Sequence, residues 1–450
     1  MTKSFYRHGW HSWSPTAWHD IALPWPRVNL PDLIINADDP EFASDLLSGS
    51  GLGAIESNGE VTVLGALDLD SRVRMVDGAM IPVGGDEWIT SGGGQDAALA
   101  SYLESFCERW GRRATDPGSV WCSWYSFWGA IDEVLLTKTV ADVAQFPFSV
   151  FQIDAGWERA LGDWEANSSF RSGMPAMADR IRERGLRPGL WMAPFAVHRR
   201  SDLANRYPQF LLLNDEGTPV RFAHNWGDDG LALDVTRPDV LEWIRETVET
   251  TVGWGFDYLK LDFLYAGAFP GRRQVPMGRE QGYRRAIETI RSAAGENAFL
   301  LACGAPIMAS VGVFDAIRIG PDAAPFWEDT ARTRWLGDWS GPGARNAIAT
   351  SFSRLWLQGA ITLDPDVAFF RSRSNLLTPS QRRLGQDLAL ISGFRSTSDP
   401  PAWLDPEERQ LLEEFLTDRP VVLRRSSTSF EVGGRQVDFQ PALGFEDRPS

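Results

Sequence analysis

The sequence predicts an α/β protein, with a central (β/α)8 barrel, a small antiparallel β domain before it and a short β domain after it. Three observations predict this. From Val120 onward, short apolar runs alternate with amphipathic helical stretches over about 270 residues, as in parallel sheets built from strand–helix units. About eight such units suit a barrel better than an open sheet, and no Gly-x-Gly-x-x-Gly or P-loop favours a nucleotide-binding sheet. Both ends of the chain instead carry short β-rich segments separated by Gly, Asp, Pro and Ser.

The N-terminal β domain is expected over 1–95, with strands at 33–37, 61–67 and 73–81. Its opening stretch, Gly9-Trp10-His11-Ser12-Trp13-Ser14-Pro15, is too polar and aromatic for a strand core. It reads as a loop that either presents tryptophan to a cleft or plugs the end of the β domain. Over 96–113, Leu99, Tyr102, Leu103, Phe106 and Trp110 recur at helical spacing, predicting a linker helix within 96–117. The barrel is expected over 118–400, with strands at 120–125, 149–153, 186–193, 256–264, 298–303, 316–319, 358–363 and 388–391, and a short one at 231–234. Helices are expected at 132–144, 175–184 and after Thr236-Arg-Pro-Asp239, which has the form of a capping box with an early proline. Residues 401–450 predict a helix at 405–416, then a β cap with strands at 421–424, 429–432 and 436–439.

The formal net charge of −16 argues against nucleic acid or an anionic membrane as partner. The three cysteines form no CxxC pair, which argues against a disulfide framework or structural zinc. The N-terminus has no apolar signal core and no run reaches membrane-spanning length, so we expect a soluble, cytoplasmic protein. Twenty tryptophans are many, and several lie beside Gly, Ser, Asp or Asn. Indole faces pack on the apolar face of sugar rings, although tryptophan is also simply a large core residue.

The chemistry concentrates on Tyr258-Leu-Lys-Leu-Asp-Phe-Leu264. Five of these seven residues are apolar or aromatic, yet alternation puts Lys260 and Asp262 on one face. A buried Lys-x-Asp is either a structural ion pair or the end of an active-site strand, with the lysine keeping the carboxylate ionised. Other predicted strand ends also carry polar or aromatic residues: Trp124-Tyr125, Gln152 with Asp154, Trp191, Cys303, Arg318 with Asp322, and Asp364 with Asp366. Carboxylates, a lysine and an arginine around one cleft, without clustered histidines, fit glycosidic cleavage better than metal chemistry.

The barrel segment, roughly 118–370, resembles family 36 of the glycoside hydrolases, an α-galactosidase group. The likeness rests on ordered motifs: Trp121-Cys-Ser-Trp124-Tyr125, Gln152-Ile-Asp154, Gly162-Asp-Trp164, Gly189-Leu-Trp191-Met-Ala-Pro-Phe195, Lys260-Leu-Asp262-Phe and Arg318-Ile-Gly-Pro-Asp322. The Trp10–Pro15 loop is similar to a family segment that lends an aromatic to the site. The resemblance implies Asp262 as nucleophile and Asp322 as general acid/base. It implies Trp13, Trp124, Tyr125, Asp154, Trp191, Lys260, Cys303 and Arg318 as substrate-binding, and we add Trp164 and Asp366. It further implies retention of configuration, no metal and no organic cofactor, and an oligosaccharide or glycoside as the binding partner, with oligomeric state left open.

The family often places a second aspartate where this chain has Ala155, so a related glycone such as N-acetylgalactosamine or arabinopyranose stands beside galactose, and Trp157 is a candidate to reshape the pocket. A transglycosylase of raffinose-synthase type and an inactive sugar-binding protein are the other readings. The N-terminal region is also shorter than the family's usual β-sandwich.

Overall fold

In a computed structural model of the protein, residues 3–22, 38–41, 47–332 and 338–443 are described. The strand expected at 33–37 lies outside them. Eight strands form one parallel sheet: β1 (Ser119–Cys122), β2 (Val150–Ile153), β3 (Arg187–Met192), β4 (Tyr258–Leu261), β5 (Phe299–Ala302), β6 (Ala316–Arg318), β7 (Thr362–Asp364) and β8 (Arg395–Thr397). Neighbours follow chain order from β1 to β7, and β8 returns to pair with β1. Among the described residues no ladder joins β7 to β8, although Ala368 N donates to Ser396 O across that seam at 2.8 Å. The sheet is thus a curled parallel one in barrel order.

Several expectations need correction. The strand at 120–125 stops at Cys122, because Trp124–Phe127 winds into a helical turn, with Trp128 N donating to Trp124 O at 2.6 Å. The strand placed at 388–391 is the inner face of the helix Pro379–Ser392, and the true last strand follows it. A four-residue apolar run fits either element. The capping box of Thr378 and Gln381, and Gly393 at φ +81, were the local signals that decide for helix.

The segment 231–234 lies outside the parallel sheet. Its first residues end Asp228–Ala232, the middle strand of an antiparallel trio with Ala196–His198 and Arg221–Asn225, which rises after the C-terminal end of β3. The strand at 73–81 is a hairpin, Arg72–Val76 against Ala79–Val83, turning at Asp77-Gly78, an Asp-Gly pair that favours such turns. Pro238 does start the helix Pro238–Gly253, but no capping box forms. Thr236 Oγ1 donates instead to Asp234 Oδ1 at 2.7 Å, and Asp239 pairs with Arg237.

Before the parallel sheet, five antiparallel strands (Ser4–Arg7, Ala17–Asp20, Leu52–Ser57, Glu60–Ala66 and Trp88–Gly93) receive the helix Gln95–Trp110, whose Tyr102 hydroxyl donates to Ala66 O at 2.9 Å. After it come the helix Pro406–Thr417 and the strands Val422–Arg424, Ser429–Val432 and Arg435–Asp438. One continuous buried cluster runs from Tyr6 to Ala442 through all three parts. Among the described residues no helix is long and apolar enough to cross a membrane.

The loop at 9–15 is tied into this core by a buried arginine. Arg354 donates to Ser12 O (2.5 Å), His11 O (2.8 Å), Ile319 O (2.9 Å), Gly9 O (3.1 Å) and Ser14 O (3.2 Å). Trp10 Nε1 donates to Glu280 Oε1 at 3.0 Å, and Ser12 and Ala305 exchange two bonds at 3.0 Å. Burial draws the pKa of Arg354 down to about 9, so it is still charged near neutrality. Replacing it should orphan several carbonyls at once. Arg354→Met is expected to cost roughly 3 kcal/mol of stability, read as a lowered thermal midpoint. Arg112→Met, on an exposed ion pair, should change stability by under about 0.5 kcal/mol.

Candidate active site

Charges converge at the C-terminal ends of β2, β4, β6 and β7. Strand β4 is buried along its length, and register sets Lys260 beside Trp191 of β3 and Leu301 of β5. The Lys260 amine does not reach for Asp262, as the Lys-x-Asp spacing led us to expect. It pairs with Asp154 Oδ2 at 2.8 Å. Burial opposes the ammonium charge, but Asp154 outweighs it and holds the pKa of Lys260 well above its ordinary value. Asp154 also accepts from Gln152 Nε2 at 2.7 Å and from Cys122 Sγ at 3.4 Å.

Asp262 is held by different donors. Trp191 Nε1 donates to Oδ2 at 2.9 Å and Phe263 N to Oδ1 at 2.7 Å. Phe263 itself takes a left-handed backbone, φ +49, which costs a bulky residue about 1–3 kcal/mol. Such strain is stored where geometry matters. Trp157 Nε1 donates to Trp191 O at 3.0 Å and so supports that strand end from behind.

Across the cleft, Arg318 spans three carboxyls: Asp366 Oδ1 at 2.8 Å, Asp364 Oδ2 at 3.1 Å and Asp322 Oδ1 at 3.2 Å. The Asp322 side chain keeps 36% of its surface open, while Asp364 and Asp366 are buried. Burial pushes the pKa of Asp322 up. Arg318 works against this and the negative charge of Asp262 adds to it. Burial likewise raises Asp366, to about 7, against the pull of Arg318. Asp366 also accepts from Ala323 N at 2.8 Å and from the Tyr125 hydroxyl. Burial, then Asp322 and Asp366, push the Tyr125 phenol well above its usual pKa, so it stays a donor.

Aromatic side chains wall this space. Trp13 meets Phe263 edge-on at 5.6 Å. A side chain on Gly304 would stand 3.2 Å from the Trp13 ring, so a residue lacking Cβ permits the contact. Both tryptophans of the Trp10–Pro15 loop are buried, Trp10 bonded to Glu280 and Trp13 against Phe263. Trp164 lies 6.0 Å from Trp191. Among the described residues, the buried Nε1 groups of Trp13 and Trp164 have no acceptor. Burial and then the charge of Asp262 keep the Cys303 thiol protonated. Arg371 fixes the Trp124-Tyr125 turn by donating to Tyr125 O at 3.0 Å and pairing with Asp399 at 2.6 Å.

All twelve residues singled out from the sequence thus meet in one region. The contacts add Cys122, Gln152 and Asp364, which the assigned set omitted. Gln152 and Asp364 stood at predicted strand ends, a usable signal, whereas Cys122 had none.

Four of the carboxyls, at 154, 322, 364 and 366, pair with two cations, Lys260 and Arg318. The raised pKa of Asp366 means the folded state binds its proton more tightly than the unfolded state, whose value is about 3.9. That stabilisation is full below about pH 4 and is lost as pH rises through about 7. Asp366→Asn should therefore raise the thermal midpoint relative to wild type at pH 8, with the gain shrinking or reversing at pH 5.

A family model described as Melibiase matches residues 120–284. TtGalA, an α-galactosidase from Thermus thermophilus solved in complex with p-nitrophenyl α-D-galactopyranoside, is 46% identical with a TM-score of 0.93, covering 98% of this chain and 91% of that one. Its structure in complex with stachyose matches at 47% identity and a TM-score of 0.87, covering 92% and 90%. Among curated relatives, α-galactosidase 2 of Pediococcus pentosaceus is 25% identical over 67% of this chain and 41% of its own length. The α-galactosidase AgaA of Geobacillus stearothermophilus is 27% identical over 38% and 24%. The chain thus matches less than half the length of these two curated relatives.

Proposed function

The chain belongs to the melibiase family, family 36 of the glycoside hydrolases, and from that premise we propose that it hydrolyses terminal α-linked galactose, or a close relative of it, through a covalent glycosyl-enzyme. One observation carries the reading: two carboxyls are held in different ways, Asp262 by hydrogen bonds from Trp191 Nε1 and Phe263 N, and Asp322, its side chain 36% open, with its pKa raised by burial against the pull of Arg318.

The proposed chemistry follows from that division. A carboxylate oxygen of Asp262 attacks the anomeric carbon as the bond to the leaving oxygen breaks. That oxygen takes the proton of Asp322. In the second half, Asp322 accepts a proton from water, the water oxygen attacks the anomeric carbon, and the ester to Asp262 is released. Two inversions retain the configuration. In this reading Arg318 keeps Asp322 oriented, the Lys260–Asp154 pair holds glycone hydroxyls, and the unpartnered Trp13 and Trp164 N–H groups are donors for a sugar.

Ala155 bears on the glycone. The residue is buried and its N–H donates to Asp154 Oδ1 at 2.9 Å, so a single carboxylate serves where the family often has two. A relative 46% identical, solved in complex with an aryl α-galactoside, supports galactose as the first glycone to test.

Asp262→Ala is expected to lower kcat on p-nitrophenyl α-galactoside by about 10⁴-fold, with azide restoring turnover and yielding the β-galactosyl azide. Near-native turnover in that variant would remove Asp262 from the role. The wild-type profile of kcat/KM against pH should be bell-shaped, and its alkaline limb should lie above the ordinary carboxyl range because the acid is held protonated.

A further inference from the structure

Two tryptophans outside the assigned set stand at the mouth of the cleft. Trp226 caps the hairpin formed by Arg221–Asn225 and Asp228–Ala232, and Trp128 ends the turn after β1. They are 51% and 46% exposed. Each also holds a left-handed backbone, φ +52, which a bulky residue rarely adopts. Asn225 pairs with Asp228, so Trp226 and Gly227, at φ +78, form a two-residue turn. Turns of that kind favour Asn-Gly or Asp-Gly. A tryptophan in the first place works against local preference, and its half-open ring gains little burial in return. A residue that breaks a local rule while keeping half its ring open points to function.

The surroundings indicate which function. The Trp226 ring meets Trp191 at 6.0 Å, Phe263 at 6.1 Å and Trp124 at 6.2 Å. Trp191 and Phe263 are the two residues that bind Asp262, so Trp226 stands at the outer edge of that carboxylate's setting. The hairpin tip is pinned: Arg200 donates to Gly227 O at 2.6 Å and to Asp228 Oδ2 at 3.1 Å, and Arg199 N donates to Asp229 O at 3.0 Å. Trp128 meets Trp124 from the other side at 5.2 Å. Trp226, Trp124 and Trp128 thus meet edge to face in a run, here called the shelf, that leads outward from Asp262.

We propose that Trp226 determines specificity on the leaving-group side, stacking on the sugar ring of an oligosaccharide aglycone, with Trp128 extending the shelf. The proposal rests on the glycosidase reading above. An indole face accepts the apolar face of a pyranose or furanose whatever its hydroxyl pattern, so the shelf favours substrates with a ring in the leaving group over those without one.

Trp226→Asn tests this, because it installs the preferred Asn-Gly turn while removing the ring. We expect the thermal midpoint to hold or rise. The ratio of kcat/KM for stachyose to that for α-D-galactopyranosyl fluoride, whose leaving group has no ring, should fall about ten-fold. The fall should sit mainly in KM for stachyose, and Trp226→Tyr should restore most of it. An unchanged ratio, or equal losses on both substrates, would overturn the proposal while leaving the glycosidase reading intact. Should wild type turn over neither substrate, the glycosidase reading fails and the shelf with it.

Discussion

Arg318 holds three carboxyl groups from the end of one buried strand, and the site depends on that shortage of cations. Two buried positive side chains pair with four of the five acids gathered here. Each further ionisation works against the negative charges already present and against burial. The burden falls unevenly. Asp154 has the ammonium of Lys260, and Asp262 has an indole and a backbone N–H. The acids around Arg318 share one guanidinium, and burial raises the pKa of Asp322 and Asp366 there against its pull.

Much of this was legible in the sequence, for identifiable reasons. Strict alternation along β4 placed Lys260 and Asp262 on one face, and strand–helix rhythm located seven of the eight parallel strands within a few residues. Alternation says which way a side chain points, however, not which neighbour it meets. Lys260 therefore looked like the partner of Asp262, whereas register with β3 gave that carboxylate to Trp191. The eighth strand was missed because the apolar run at 388–391 fits a helix face equally well, and only its capping signals decide. The hairpin at 72–83 was read as one strand because aliphatic residues on both sides of Asp77-Gly78 hid a turn written plainly in those two residues. The segment 231–234 has strand composition but pairs in an antiparallel trio, which composition cannot distinguish.

Backbone strain marks the same region independently of charge. Phe263, Asp366, Trp128 and Trp226 all take positive φ without being glycine, and all border the cleft. Such conformations persist only where surrounding contacts overdetermine them. Here those contacts are the buried β4 on one side, the Arg318 cluster on another, and the arginines that pin the hairpin tip.

The Arg354 clamp also joins distant parts of the chain. Ser12 and the arginine that holds it are 342 positions apart. Joining segments so far apart closes a long loop, and the entropy this costs grows only slowly with length. The bonds from Arg354 to the carbonyls of Gly9, His11, Ser12 and Ser14 work against that cost, beside the ties of the same loop to Glu280 and Ala305. A chain without Arg354 would lose four hydrogen bonds to that loop and keep those with Glu280 and Ala305.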